Sequence, residues 1–553
     1  MTATRQRWLH LALAAGVGFL FLVVLLETTR EVGYARDEGF YFFASRKYEA
    51  WFSLLGRDRA LALKREQVDL AWAVNHEHPG LIKSLFALSH MKLQSGGKWF
   101  AETGTSFRFP AMVLGAIAVA TTALWGMRRF GVAAGLVAGL SLAFMPRFFF
   151  HAHLACFDVP ITALFVLTFF AFDKALSSEG AGWPIATGVL FGLGLDTKHN
   201  AWFLPIAFVF HGLLCALVAW RTGSNRWAAT RRHVHAIGAM TILGPAILIV
   251  CWPWLWFDTL ARFKEYASFH LHHDFYNMEF LGETYFQPPM PRLYAPVMSL
   301  ATVPFITLAL GTVGAALFLR RASKDLVECE RSTLDRHRTT LLWVVGVGVS
   351  YGPWLSTNTP IFGGTKHWMP AYPFVALLAG AGFQAAITAA KSELERLGRP
   401  RLISLLAALG AALAVASPIE QAVRAHPWGL SAYTPLFGGA TGAATLGLNR
   451  GFWGYTTGSV TDVLNQAPEG AEVYPHDTAG SSWAMLREDG RIRPDLRAVW
   501  RVEDADYSLY HHEMHMQQEE YQAWVAFGTV QPLVVRGLDG VPVIWVYRRP
   551  ARR

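Results

Sequence analysis

The sequence predicts a polytopic, all-helical membrane protein carrying a soluble α/β domain at its C-terminal end. Three observations carry this. The 553 residues are 53% hydrophobic and only 16% charged, with a mean hydropathy of +0.27, a balance that suits a membrane protein and not a soluble chain of this size. Apolar runs approaching the roughly 20 residues needed to cross a bilayer recur through the first three quarters of the chain. The Lys and Arg residues between those runs are unevenly divided between alternate loops, as the positive-inside rule describes.

In chain order, about eleven spans are expected, with cores at 9–26, 109–127, 131–146, 158–173, 183–197, 201–220, 236–257, 293–319, 341–355, 370–390 and 402–418. The first follows Arg5 and Arg7 and has no small-residue cleavage site behind it, so it reads as an uncleaved anchor. One set of loops holds Arg128-Arg129, Lys174, Arg221, Arg226, Arg231, Arg232, Arg320, Arg321, Lys324, Arg331, Arg336, Arg338, Lys391, Arg396, Arg399 and Arg401. The other holds Arg147, Lys198, Arg262, Lys264, Arg292 and Lys366. This bias puts the N-terminus in the cytoplasm and, with an odd number of spans, the C-terminus outside the inner (cytoplasmic) membrane. The apolar stretch Leu81–Leu93 is short and suits a helix lying along the interface.

Residues 1–418 therefore form the membrane domain, with a first outer loop at about 27–105, and 419–553 form the extracytoplasmic domain. In the latter, Val530–Arg536 and Val541–Arg548 flank Gly537-Leu538-Asp539-Gly540 and read as a hairpin. The net charge of +9 is spread over short loops, so nucleic acid is not an expected partner. The four cysteines, Cys156, Cys215, Cys251 and Cys329, are scattered and define neither a disulfide framework nor a CxxC site.

This topology gathers Asp37, Glu38, His76-Glu77-His78-Pro79, His151, His153, Asp158, Lys198 and Lys366-His367 at the outer face. Ionisable groups beside the apolar phase are costly and mark a functional site by default. Asp37 and Glu38 follow the first span and are suited to removing a proton from a hydroxyl, since a carboxylate of ordinary pKa, about 4, is ionised at neutral pH. A solvated turn partnered by Arg36 is the plainer reading. His76 and Glu77 offer imidazole and carboxylate to a divalent metal or shape the site, and Pro79 marks a helix start. Asp158 caps a span whose N-terminus is also an anion site. Lys198 interrupts an apolar stretch and needs either a negative partner or the headgroup region. Lys366, His367, His78 and Arg108 are further candidates to hold a phosphate. The clusters His270, His272, His273 and His511–His515 read as surface or packing features; the latter fails the HExxH pattern because position 516 is Met.

Several segments, in this order, resemble the GT-C glycosyltransferases of the protein O-mannosyltransferase and aminoarabinose-transferase type, glycosyltransferase family 39 and its bacterial relatives. They are Arg36–Tyr41, His76–Lys83, Ser106–Pro110, His151–Pro160, Gly192–Lys198 and Gly364–Pro373. The resemblance covers about 30–390 and implies a GT-C fold and a membrane glycosyltransferase. Such an enzyme moves a sugar from a polyprenyl-phosphate donor to an acceptor hydroxyl at the outer face. By the same resemblance Asp37 is the base, Glu38 its neighbour and Asp158 a second acid. Lys198, Lys366, His367, His78 and Arg108 would hold the donor phosphate, and inversion would follow from a single displacement. Two positions depart from the family pattern: Gly80, where relatives usually carry a second proline, and Asp196, where they carry a small or hydroxyl residue. The acceptor (protein, lipid A or glycan), the sugar and any divalent metal stay open, as does a role for the tail in recruiting the acceptor. Competing readings are a lipid or sugar flippase, an oligosaccharide transferase of the same superfamily, whose WWDYG-type signature Phe452-Trp453-Gly454-Tyr455 matches only superficially, and a membrane scaffold without activity.

Overall fold

The computed structural model of the chain describes residues 2–550. Its membrane part is built from α1 (Ala3–Thr28), α2 (Arg36–Arg57), α3 (Leu81–Ser89), α4 (Thr103–Phe130), α5 (Val132–Ala143), α6 (Pro146–Ala152), α7 (Asp158–Ser177), α8 (Gly182–Leu195), α9 (Phe203–Arg221), α10 (Arg226–Cys251), α11 (Thr259–Leu271), α12 (Phe305–Val327), α13 (Thr333–Tyr351), α14 (Tyr372–Arg396) and α15 (Ile403–Ala425). Among the described residues, eight helices are long and apolar enough to cross a membrane, and nine if the bent pair α5–α6 counts as one span. The expected count of eleven is therefore not reached. α8 has 14 residues and is too short, and α13 opens with Asp335, Arg336 and Arg338, which dilute its apolar run. The break between α5 and α6 is a 66° turn where Pro146 takes the first helical position, which its fixed φ suits.

Helices approach closely where side chains are small, as lipid-embedded packing requires. Gly314 of α12 and Gly382 of α14 face each other so tightly that a Cβ on Gly382 would lie 3.0 Å from the Gly314 nitrogen. At one end of the bundle the basic loops meet one another: Arg129 bonds the Arg336 carbonyl, Arg338 reaches Ser177 and Arg232 pairs with Glu179. The first long loop forms the other end. There α2 and α3 pack on the start of α4, with Ile82, Phe86 and Ala87 of α3 buried.

The C-terminal part carries a five-stranded mixed sheet of β3 (Glu472–Tyr474), β4 (Arg497–Ala498), β5 (Tyr507–His511), β6 (Val534–Leu538) and β7 (Val541–Arg548), in the order β4-β3-β5-β7-β6; a separate hairpin, β1 (Met278–Phe280) with β2 (Glu283–Tyr285), lies in the loop after α11. β3 runs parallel to β4 and β5, while β5–β7 and β7–β6 are antiparallel. The β6–β7 connection is the two-residue Asp539-Gly540, both at positive φ (52° and 78°), as the hairpin twist favours. This domain shares a core with the first loop and the α6–α7 corner: Val32, Tyr34 and Phe42 of the one and Phe150 and Leu154 of the other pack with Trp453, Tyr455, Trp483 and Leu486.

Candidate active site

The start of α2 is held from three directions. Glu38, the third residue of the helix, accepts the Ala35 N–H at 2.9 Å and so closes the helix N-terminus. Arg108 of α4 grips the same carboxylate bidentately, Nε to Oε1 and Nη2 to Oε2, both at 2.8 Å. Its remaining three N–H groups reach the carbonyls of Thr29, Val32 and Gly33, so all five guanidinium donors are occupied. Tyr34 covers the guanidinium, with its ring centroid 4.3 Å away. The Ala155 N–H adds a further bond to Glu38 at 2.8 Å. From the C-terminal domain, the Trp453 carbonyl accepts the Arg36 N–H, Asp477 pairs with the Arg36 side chain at 2.9 Å, and Ser482 donates to the Ala35 carbonyl.

Asp37, the second residue of α2, is thereby aimed away from this clamp, at the junction of two connected cavities. The inner one is lined by Asp37, Tyr41, His78, Asp158, Lys198, Lys366 and His367, together with His199, His270 and His273. The outer one, about 410 Å³, adds Arg36, Glu77, Arg147, Trp453, Glu279 and Glu513. Lys366 Nζ stands 3.6 Å from Asp37 Oδ2 and 4.3 Å from the Trp453 ring centroid, a cation–π seat that holds the ammonium in place. Lys198 Nζ donates to Asp158 Oδ1 at 2.6 Å. His151 Nδ1 lies 3.4 Å from the other Asp158 oxygen. Two acids and two lysines drawn from four separate segments thus converge on one space.

Burial disfavours charge on the imidazoles here. His78 is held well below the usual histidine range, first by desolvation and then by Lys83 and His270; burial and Lys366 do the same to His367. Both are neutral at pH 7 and offer one N–H rather than a positive charge. His270, whose Nε2 donates to the Glu77 carbonyl at 2.9 Å, is pushed down to about 4 by burial.

Several expected site residues sit elsewhere. Arg108, expected on the phosphate, faces Glu38 and three carbonyls, and Glu38, expected beside the base, is fully buried against it. His76 bonds the Ala73 carbonyl and Glu265 and stacks on Trp254, so both its nitrogens point away from Glu77, whose carboxylate accepts from Asn75. Conversely, His270, His273 and Trp453 line the cavities, although their local sequence gives no sign of it. The C-terminal end of α11 and the 452–455 segment reach the site only through the fold, and Trp453 does so at a φ of +77°.

The two departures from the family pattern meet each other. The Gly80 N–H donates to Asp196 Oδ1 at 3.2 Å, and the Leu81 N–H to the Asp196 carbonyl. A proline at 80 has no N–H to give, so a carboxyl at 196 and a glycine at 80 form one unit. Asp196 is fully buried and its pKa is raised well above the usual carboxylate range by desolvation. Gly80→Pro is expected to lower stability by about 1–3 kcal/mol through the orphaned carboxyl. The penalty should shrink in Gly80→Pro/Asp196→Ser, with Gly80→Ala as the steric control, because a Cβ there meets Trp72 and Trp252 at 3.0 Å. Thermal melting in detergent checks this; equal losses in the single and double variants would refute the pairing. Lys83 locks the same loop by donating to the carbonyls of Asn75 and His78, and burial pushes its pKa down to about 7.

Among the described residues, the groups with three metal-ligating atoms within 4.8 Å of one another are Glu279–Glu513–His515, His211–Cys215–His233 and Asp325–Glu328–Glu330. The first stands at the rim of the outer cavity and brings the β1–β2 hairpin to the C-terminal domain. Its Glu513 carboxyl is held well above the usual range by burial and by Asp477 and Glu279.

Comparison with known proteins adds one family. The model described as dolichyl-phosphate-mannose-protein mannosyltransferase matches residues 93–257, the segment that contributes Arg108, Asp158 and Lys198. No curated protein matches. Among solved structures, the chain is similar to ArnT from Cupriavidus metallidurans bound to undecaprenyl phosphate, at 15% identity and a TM-score of 0.48 over 99% of this chain and 98% of that one. It is also similar to the archaeal oligosaccharyltransferase AglB from Archaeoglobus fulgidus in complex with an inhibitory peptide and a dolichol-phosphate, at 10% identity and a TM-score of 0.48 over 95% and 71%.

Proposed function

We propose that this chain is a membrane glycosyltransferase that moves a sugar from a polyprenyl-phosphate donor to an acceptor hydroxyl, with inversion, using Asp37 as base. The observation that carries the proposal is the cavity in which Asp37 and Asp158 face Lys366 and Lys198. The family match over residues 93–257 supports a donor of the lipid-phosphate class. Asp37 takes the proton of the acceptor hydroxyl as its oxygen attacks the anomeric carbon. The bond from that carbon to the phosphate oxygen breaks, and the lipid phosphate leaves with its electron pair. Lys366 and Lys198 stabilise the charge that develops on it, and neutral His78 and His367 each add one hydrogen bond. Asp158 orients Lys198 and offsets its charge in the unloaded site. Glu38 and Arg108 act as positioning residues. The active site faces the outer side of the membrane in this reading, and the C-terminal domain closes over it.

The test is transfer of labelled sugar by purified protein in detergent, comparing a polyprenyl-phosphate sugar with the corresponding nucleotide sugar. Consumption of the lipid-linked donor alone is expected; consumption of the nucleotide sugar alone would overturn the proposal. Lys198→Met and Lys366→Met should each lower turnover by about 10²–10³-fold, the usual effect of removing one group that stabilises developing charge. Turnover within about threefold of wild type in either variant would remove that lysine from the phosphate site.

A further inference from the structure

A second cluster of metal-ligating side chains lies inside the helical bundle, among residues to which the proposed transfer reaction gives no role. His211 and Cys215 occupy successive turns of α9, and an i, i+4 spacing puts them on one face. His233 comes across from α10. All three are buried. His211 Nδ1 lies 3.0 Å from His233 Nε2, and Cys215 Sγ lies 3.9 Å from His211 Nδ1 and 3.8 Å from its Nε2. In a tetrahedral zinc site, bonds of about 2.0–2.3 Å place the ligand atoms roughly 3.3–3.6 Å apart. The histidine spacing falls below that range and the sulfur spacing above it, so enclosing an ion requires the imidazoles to part slightly and the Cys215 side chain to turn toward them.

The surroundings fit a ligand set as well. The other nitrogen of His211, Nε2, is 3.1 Å from the Arg338 carbonyl, the backbone partner that typically fixes the tautomer of a ligating histidine. His233 Nδ1 is buried with no hydrogen-bond partner, so it is the atom left to carry the proton when Nε2 binds an ion. Gly212 admits the second imidazole, since a Cβ there would stand 3.1 Å from His233 Cδ2. A hydrogen-bonded histidine pair explains the 3.0 Å contact; the buried thiol beside it adds a third ligand atom, all three lying within 4.8 Å of one another.

We propose that His211, Cys215 and His233 bind one Zn²⁺ that staples α9 to α10. One thiolate and two imidazoles suit this ion and disfavour Mg²⁺ or Ca²⁺. Binding forms one Zn–S and two Zn–N bonds. The Cys215 thiol loses its proton to solvent, and the His233 proton moves from Nε2 to Nδ1. A fourth position stays open to water.

The experiment uses untagged protein purified in detergent, stripped with a chelator, then loaded with Zn²⁺ or with Co²⁺ as a spectroscopic stand-in. About one equivalent of zinc per chain should be retained after desalting. The cobalt form should show thiolate-to-metal charge-transfer absorption together with the strong visible bands of tetrahedral coordination. Cys215→Ser should abolish the charge-transfer band and weaken binding by about tenfold or more, and His233→Gln should weaken binding similarly. The wild-type cobalt spectrum keeps the test decisive if a variant fails to fold. Absence of the thiolate band in wild type, or zinc retained equally by wild type and Cys215→Ser, would overturn the proposal. Neither readout depends on glycosyl transfer, so the proposed activity and this site stand or fall separately.

Discussion

Replacing Asp37 with asparagine is expected to lower sugar transfer by about 10²–10⁴-fold, the range that a positioned general base contributes, while leaving the protein folded. The argument rests on how differently the two adjacent acids are held. Glu38 is fully buried in a web of donors, whereas the Asp37 side chain is a quarter exposed and its nearest charged partner is Lys366 at 3.6 Å. Asparagine keeps the size of the side chain and removes only its ability to take a proton. Donor binding should therefore persist, because Lys198 and Lys366 remain in place. The measurement is turnover beside donor affinity for wild type and Asp37→Asn. Turnover within about tenfold of wild type would remove Asp37 as base, and loss of both quantities with unchanged melting would make it a binding residue instead.

Much of the architecture was readable because it follows from two simple signals. Apolar length located helices at every expected span, and it failed as a count where the chain departs from a plain span: at the Pro146 turn, in the short α8 and in the charged start of α13. The Asp-Gly turn marked the β6–β7 hairpin for the same local reason. Within the site, Asp37, Asp158, Lys198 and Lys366 stood out because charge beside an apolar run is costly, and the fold brings them to one cavity. Direction is what a sequence cannot supply. Arg108 and Lys198 look equally unusual as isolated cations, yet one turns to carbonyls of the first loop and the other into the cavity. His270 at the end of α11, His273 just beyond it and Trp453 come from segments whose course is set by long-range packing, so nothing local distinguished them from surface aromatics. The pairing of Gly80 with Asp196 shows the converse: two departures that look like separate defects, 116 positions apart in the chain, become one interaction in the fold.

Arg108→Met is expected to cost about 3–5 kcal/mol, the penalty for leaving a buried charge without its partner, and with it most of the activity. The side chain holds five acceptors at once: both Glu38 oxygens and the carbonyls of Thr29, Val32 and Gly33. Methionine fills similar volume and meets none of them. Glu38 would keep only the Ala35 and Ala155 N–H groups, and the Gly33 carbonyl would lose its donor, while Thr29 would keep the Val32 N–H and Val32 the Arg491 guanidinium. Lysine should rescue little, because its ammonium cannot reproduce a planar fork spread over two sites. A matched apolar pair, Glu38→Leu/Arg108→Met, should recover only part of the loss. It removes the stranded carboxylate, but the Gly33 carbonyl and the Ala35 and Ala155 N–H groups stay unpaired, each at a desolvation cost of about 1–3 kcal/mol. Melting of wild type, Glu38→Leu, Arg108→Met and the double variant in detergent, read as a double-mutant cycle, isolates the pair term. Transfer assays on the double variant then separate stability from positioning. If it melts near wild type yet transfers sugar poorly, the clamp acts by aiming Asp37. If Arg108→Met alone melts and transfers like wild type, the buried pair neither stabilises the loop nor positions the base.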